Sequence, residues 1–230
     1  MSDHWTAYIR GGVDSAGGPI PFALRQWEFL APITAAIQRA APRSGRLLDV
    51  GCGAGVYSSL LAHHGYQVLG IDNDPRIVEL ARETGEYLHA SVRFEHGNAF
   101  DLSRWHAAFD LVYSLGVVEH FDPDVTVQLI QEQARCAPLV VVAIPTKHTR
   151  LSGQPTDERP YTRPEFERLV SRTGLRIRES FVYGDLPTTT AVNMTRVLPK
   201  ILYRPFRHLF SYAMGLCCVL ETAAKRKGTR

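Results

Sequence analysis

The chain has 230 residues, 45% of them hydrophobic, and a formal net charge of +3 at pH 7. That length suits one well-buried domain with appendages and is short for two, and so slight a charge does not call for a nucleic-acid partner. Cys52, Cys136, Cys217 and Cys218 fit neither a disulfide framework nor a zinc-site spacing, and no apolar run approaches the ~18 residues of a membrane span, so a reducing, cytoplasmic setting is expected.

Residues 1–21 are rich in glycine and carry Trp5 and Tyr8, a composition that suits either an arm folding over a site or disorder. Residues 22–41 place Phe22, Trp27, Leu30, Ile33 and Ile37 on one broad face, which predicts a helix stopped by Pro42. The string LLDVGCGAG, residues 47–55, then joins an apolar strand to a glycine turn. Leu47, Leu48 and Val50 read as a buried parallel strand, and Gly51, Gly53 and Gly55 let the backbone turn sharply and approach a ligand before a helix begins near Val56.

The glycines are spaced G-x-G-x-G, whereas the dinucleotide fingerprint has its last glycine one position later, where Val56 stands. One strand-helix-strand unit onward, QVLGID (67–72) is a second apolar strand ending in Asp72, a carboxylate that can accept both hydroxyls of a ribose. The alternation continues with helix 75–84, strand 91–95, strand 109–113, helix 123–135 capped by Asp122, and strand 138–144. This period predicts an α/β, doubly wound sheet, mostly parallel. Thr162 and Glu165 have the spacing of a capping box that opens a further helix, Gly174 ends it, and residues 175–183 alternate like a half-exposed strand.

From residue 47 to about 145, the order and spacing of these motifs resemble the class I S-adenosylmethionine (SAM)-dependent methyltransferases, in particular quinone and natural-product O-methyltransferases. The resemblance implies a Rossmann-like methyltransferase sheet finished by an antiparallel strand, for which residues 189–195 are the candidate. It implies SAM as cofactor, held by Gly51 and Gly53, with Asp49 organising the loop and Asp72 on the ribose. Asn98 stands where the family usually has an aspartate facing the adenine amino group; Ala99 offers a backbone N–H to the ring, and Leu115 belongs to the same cofactor set. Arg10 and Arg25, with their planar forks, are candidates for the SAM carboxylate.

His120 follows the fourth strand, where the resemblance implies a histidine that takes the acceptor's hydroxyl proton or binds a metal. Metal-binding relatives read E-x-x-E-H, but Gly116 replaces the first glutamate, so no metal is expected. The expected function is methyl transfer to a small-molecule acceptor, O-methylation first and N- or C-methylation on the same scaffold, against the alternative of a non-catalytic SAM-binding or scaffold protein. No Asn/Asp-Pro-Pro-aromatic string follows the fourth strand, which argues against amino-methylation of nucleic acid.

The expected organisation is an arm over 1–21, a SAM-binding domain over 22–195 and a basic, apolar extension over 196–230. In that extension Arg196, Lys200, Arg204 and Arg207 recur among large apolar residues, and Pro199 and Pro205 break it into pieces. Two readings of residues 196–220 stand open: docking on a membrane or receiving a lipophilic acceptor, and completing the core or a homodimer interface.

Overall fold

The computed structural model describes residues 7, 11–148, 158–185, 205–206 and 208–222. A helical turn over residues 11–16 leads, through Gly17 and Gly18, into α1 (Pro19–Ala40), which starts on a proline suited to a first helical turn. The remaining elements are β1 (Arg46–Val50), α2 (Val56–His63), β2 (Gln67–Asp72), α3 (Pro75–Tyr87), β3 (Arg93–His96), β4 (Leu111–Leu115), α4 (Pro123–Cys136), β5 (Leu139–Pro145), α5 (Arg163–Ser171), β6 (Arg176–Tyr183) and β7 (Gly215–Glu221). Among the described residues no helix is long and apolar enough to cross a membrane.

The strands form one seven-stranded sheet in the order β3-β2-β1-β4-β5-β7-β6. The first five are mutually parallel, and β7 runs antiparallel to both of its neighbours. The chain winds outward from β1 to β3 and then returns to lay β4 on the other side of β1. The connections leaving β1 and β4 therefore diverge, and a crevice opens at the carboxyl edge between them.

Both faces of the sheet are covered, which is why its central strands are apolar throughout rather than alternating. On one side Ile33 and Ile37 of α1 and Leu61 of α2 pack on Leu47, Tyr113 and Val141. On the other, Leu129 and Ile130 of α4 and Phe166 of α5 pack on Val140, Val142 and Leu220. At the outer edge β6 is only half buried, bears Arg176, Arg178 and Glu179, and has a register shift between Ile177 and Glu179; charge and irregularity of this kind protect an exposed edge.

The antiparallel strand is present, but its position differs from expectation. Residues 189–195 lie outside the described residues, and Gly215–Glu221 fills the slot between β5 and β6. Leu216, Cys217, Cys218 and Leu220 are fully buried there. The run GLCCVL lacks an alternating pattern because both of its faces meet helices, and the sheet thus reaches into the stretch expected as an extension. At α5 the capping box forms as the spacing predicts. Asp122 occupies the N-cap position of α4, but its carboxylate turns to Arg159.

Candidate functional site

The turn after β1 is held by backbone. The N–H groups of Gly51 and Cys52 both donate to the Ile71 carbonyl, at 2.9 and 3.0 Å, so the loop is fastened to the neighbouring strand before any ligand arrives. Gly51, Gly53 and Gly55 have φ of 77°, 53° and 71°, the left-handed region that favours glycine. Two of them are also closed to a side chain: a Cβ on Gly51 would lie 2.5 Å from Val117, and one on Gly55 would lie 2.5 Å from Phe94. A Cβ on Gly53 would meet nothing within 4 Å, because this glycine faces open space.

Asp72, at the carboxyl end of β2, braces this turn. One carboxylate oxygen accepts the Gly53 N–H at 3.3 Å and the other accepts the Asp74 N–H at 3.1 Å. Burial raises its pKa, and the donated N–H groups act against that rise. Asp49 is more deeply placed, at 4% exposure, and accepts the Ser58 hydroxyl at 2.6 Å. The adjacent Tyr57 pairs with Thr34 of α1 at 2.9 Å, and the Ser58 oxygen lies 3.0 Å from the Tyr113 hydroxyl. Burial, the largest influence, pushes the Asp49 carboxyl up to about 7 against the lowering effect of these hydroxyls.

These groups line a cavity of about 1380 Å³ at the carboxyl edge. A site for one small ligand typically measures about 300–1,000 Å³, so this cavity has room for two molecules side by side. Its walls bring together Asp49, Gly51, Gly53, Asp72, Asn98, Ala99, Leu115 and His120, eight residues drawn from the carboxyl ends of β1 to β4 and the turns that follow them. His120 ends a single helical turn, Val118–His120, which Thr126 of α4 ties down by donating to the Val118 carbonyl at 2.8 Å. Asn98 uses its side-chain oxygen to accept the Phe100 N–H at 3.0 Å, which leaves its second lone pair and its NH₂ group for a ligand. Among the described residues no three His, Cys, Asp or Glu side chains converge on a metal position.

Of the two arginine candidates, Arg25 does not join this set and Arg10 is not placed. Arg10 lies outside the described residues, and Arg25 is exposed on α1, away from the cavity lining. Successive helical positions rotate by about 100°. Phe22, Gln26 and Leu30, each four residues apart, therefore share the face that lines the cavity, and Arg25 turns to solvent. Gln26 was discoverable as the one polar residue in that stripe. Phe100 and Phe121 also line the cavity and meet edge to face with ring centroids 5.3 Å apart; their pairing across two loops has no local signature in the sequence.

A glycine turn braced by a carboxylate from the next strand, at the switch point of a sheet with an inserted antiparallel strand, defines the Rossmann-like methyltransferase class of fold. Residues 47–137 match the model of a family described as a methyltransferase domain. A ubiquinone biosynthesis O-methyltransferase from Cereibacter sphaeroides (strain ATCC 17025) is 39% identical over 75 residues, covering 33% of this chain and 30% of that protein. Ajmaline N-methyltransferase from Rauvolfia serpentina is 28% identical over 156 residues, covering 66% of this chain and 51% of that protein. The chain thus spans about half or less of the length of these relatives.

Among solved structures, a SAM-dependent methyltransferase from Aquifex aeolicus has a TM-score of 0.63 at 16% identity, covering 86% of this chain and 93% of its own. Magnesium protoporphyrin IX methyltransferase from Synechocystis, solved with bound S-adenosylhomocysteine, has a TM-score of 0.62 at 15% identity and covers 96% and 94%. At these identities the likeness is one of fold.

Proposed function

We propose that this chain is a SAM-dependent methyltransferase acting on a small-molecule acceptor by in-line displacement, with oxygen as the first choice of nucleophile. The observation that carries the reading is the pairing of Gly53 and Asp72: a glycine open to the cavity, hydrogen-bonded to a carboxylate that ends the adjacent strand. When bound, SAM supplies a methyl group activated on a sulfonium sulfur. Gly51 and Gly53 admit the cofactor close to the backbone, Asp72 accepts from its ribose hydroxyls, and Asn98, Ala99 and Leu115 border its base. Asp49 orders the loop from beneath through Ser58.

In this reading His120 accepts the hydroxyl proton of the acceptor as its oxygen becomes nucleophilic. The rest of the acceleration comes from alignment and from exclusion of water. The apolar part of the cavity lining, which includes Phe22, Val117, Phe100 and Phe121, suits a lipophilic, ring-bearing acceptor. The ubiquinone O-methyltransferase relatives support oxygen as the target, and the ajmaline relative keeps nitrogen on the same scaffold. The role of an arm over the site, expected of the N-terminal segment, is supported by Gly11, Gly12 and Ser15 in the cavity lining. The free thiols Cys136, Cys217 and Cys218, all buried, favour a reducing, cytoplasmic setting.

Titration calorimetry with SAM tests the reading. The parent protein should bind, and Asp72→Ala should bind about ten- to a hundredfold more weakly, the worth of charge-assisted hydrogen bonds of ~1.5–3 kcal/mol. Unchanged affinity in a folded Asp72→Ala protein sinks the ribose assignment. SAM binding without S-adenosylhomocysteine release, across phenols, quinone precursors, sugars and amines, would favour a non-catalytic SAM-binding protein.

A further inference from the structure

Six large hydrophobic side chains stand more than half exposed among the described residues: Ile20, Leu24, Tyr87, Phe100, Leu209 and Phe210. Their distribution is one-sided. Tyr87 ends α3, which runs from the carboxyl end of β2 back toward the amino edge. The other five lie at the carboxyl edge, where the cavity opens. Phe100 lines the cavity itself, and Ile20 and Leu24 flank Phe22, another lining residue, on the outer face of the first turns of α1.

Leu209 and Phe210 belong to the connection between β6 and β7. Since β6 runs parallel to β5 and β7 antiparallel to it, this connection both leaves and re-enters the sheet at the carboxyl edge. The described part is anchored there: the Phe210 carbonyl lies 3.2 Å from Nε2 of His148, just past β5, and Ser211 Oγ accepts the Arg163 N–H at 2.8 Å where α5 begins. Beneath, Phe206 packs on Phe210 and Tyr212 with centroids 5.0 and 5.8 Å apart, and Tyr212 meets His148 at 5.2 Å. This aromatic platform fixes the segment while Leu209 and Phe210 remain 72% and 55% exposed.

The same connection has a one-signed charge. From residue 186 to 220 the sequence contains no aspartate or glutamate and contains Arg196, Lys200, Arg204 and Arg207. Apolar side chains held out from a firm base, in a connection whose sequence carries cations and no carboxylate, match an anionic bilayer surface: cations suit the head groups and apolar groups the acyl boundary.

We propose that the carboxyl-edge rim, from Leu209 and Phe210 beside β5 and β7 to Ile20, Leu24 and Phe100 at the cavity, docks on an anionic lipid bilayer. The burial of β7 narrows the contact to the connection and the start of α1, since residues 215–220 belong to the sheet. Docking of this kind turns the mouth of the cavity toward the membrane, and it holds whatever the acceptor is.

The test is cosedimentation of the intact protein with vesicles of phosphatidylcholine, alone or mixed with phosphatidylserine. Ionic strengths of ~0.01 M and ~1 M give Debye lengths of about 30 Å and 3 Å. Binding to the mixed vesicles at low salt, lost at high salt and absent on phosphatidylcholine alone, is expected. Arg204→Gln with Arg207→Gln should weaken partitioning about 25-fold, at about fivefold per cation near the surface. Leu209→Ser with Phe210→Ser, both at exposed positions, should weaken it at least about tenfold. The salt series uses the unaltered protein and so decides even if a variant misfolds.

No sedimentation at low salt by protein that binds SAM overturns the docking and leaves the methyltransferase reading intact. Sedimentation without SAM binding does the reverse. A dimer in light scattering that the Leu209→Ser, Phe210→Ser variant dissociates assigns the face to a second copy and overturns the proposal.

Discussion

The half of the sheet that bears the glycine turn, residues 46–100, and the half that closes it, residues 139–222, are built on different principles. In the first, β1 and β2 are each followed directly by a covering helix, and the neighbours of β1 and β2 in sequence are their neighbours in space. In the second, β7 returns from a connection of about thirty residues to insert between β5 and β6, so its partners lie far away along the chain. The first half places the groups proposed to hold the cofactor through single turns and the pairing of consecutive strands. The second supplies much of the closing core and the rim, and neither follows from any short stretch of sequence.

His120 sits where the two halves meet, and its replacement should have the largest effect. His120→Ala is expected to lower turnover about 10²- to 10⁴-fold while SAM affinity, set by the first half, stays nearly the same. Turnover and calorimetry on one preparation check this split; a parallel fall in affinity would mean that the two halves are not separable there. Leu220→Ala probes the second half. Its side chain is fully buried beside Val140, Val142 and Phe166, so truncation should cost ~2–5 kcal/mol in chemical denaturation. A cost below about 0.5 kcal/mol, typical of a surface site, would break the view of β7 as core.

Asp49 sharpens the account of the first half through pH. Its carboxyl keeps a proton up to about 7 in the folded protein but releases it near 3.8 when unfolded. Between those values the native state binds the extra proton, so stability falls as pH rises from about 4 to about 7 and stays lower above. Asp49→Asn removes the ionisation. It should match the parent near pH 4 and exceed it at about pH 8 by at least ~1.4 kcal/mol, the worth of one pKa unit. Denaturation midpoints at both pH values read this out, and an equal difference at both would show that the carboxyl is not the cause.

The sequence by itself determined the glycine turn, Asp72 and Asp49 beside it, the approach of Asn98 and Ala99, and the capping box of Thr162 and Glu165. Each depends on residues within one strand-turn-helix unit or on the parallel pairing of consecutive units, where φ preferences and short connections fix the outcome. Tertiary structure decided the rest. It selected Gln26 over Arg25 to face the cavity, since a broad apolar stripe leaves the rotation of α1 open to within one residue. It gave the antiparallel slot to Gly215–Glu221, because a strand buried on both faces carries no alternation to announce it. It turned the Asp122 carboxylate to Arg159 and paired Phe100 with Phe121, contacts between chain segments whose distance no local pattern encodes. The rim of exposed apolar residues became visible only once β6 and β7 were seen to open at the same edge as the cavity, because strand direction, a property of pairing, sets where a connection lies.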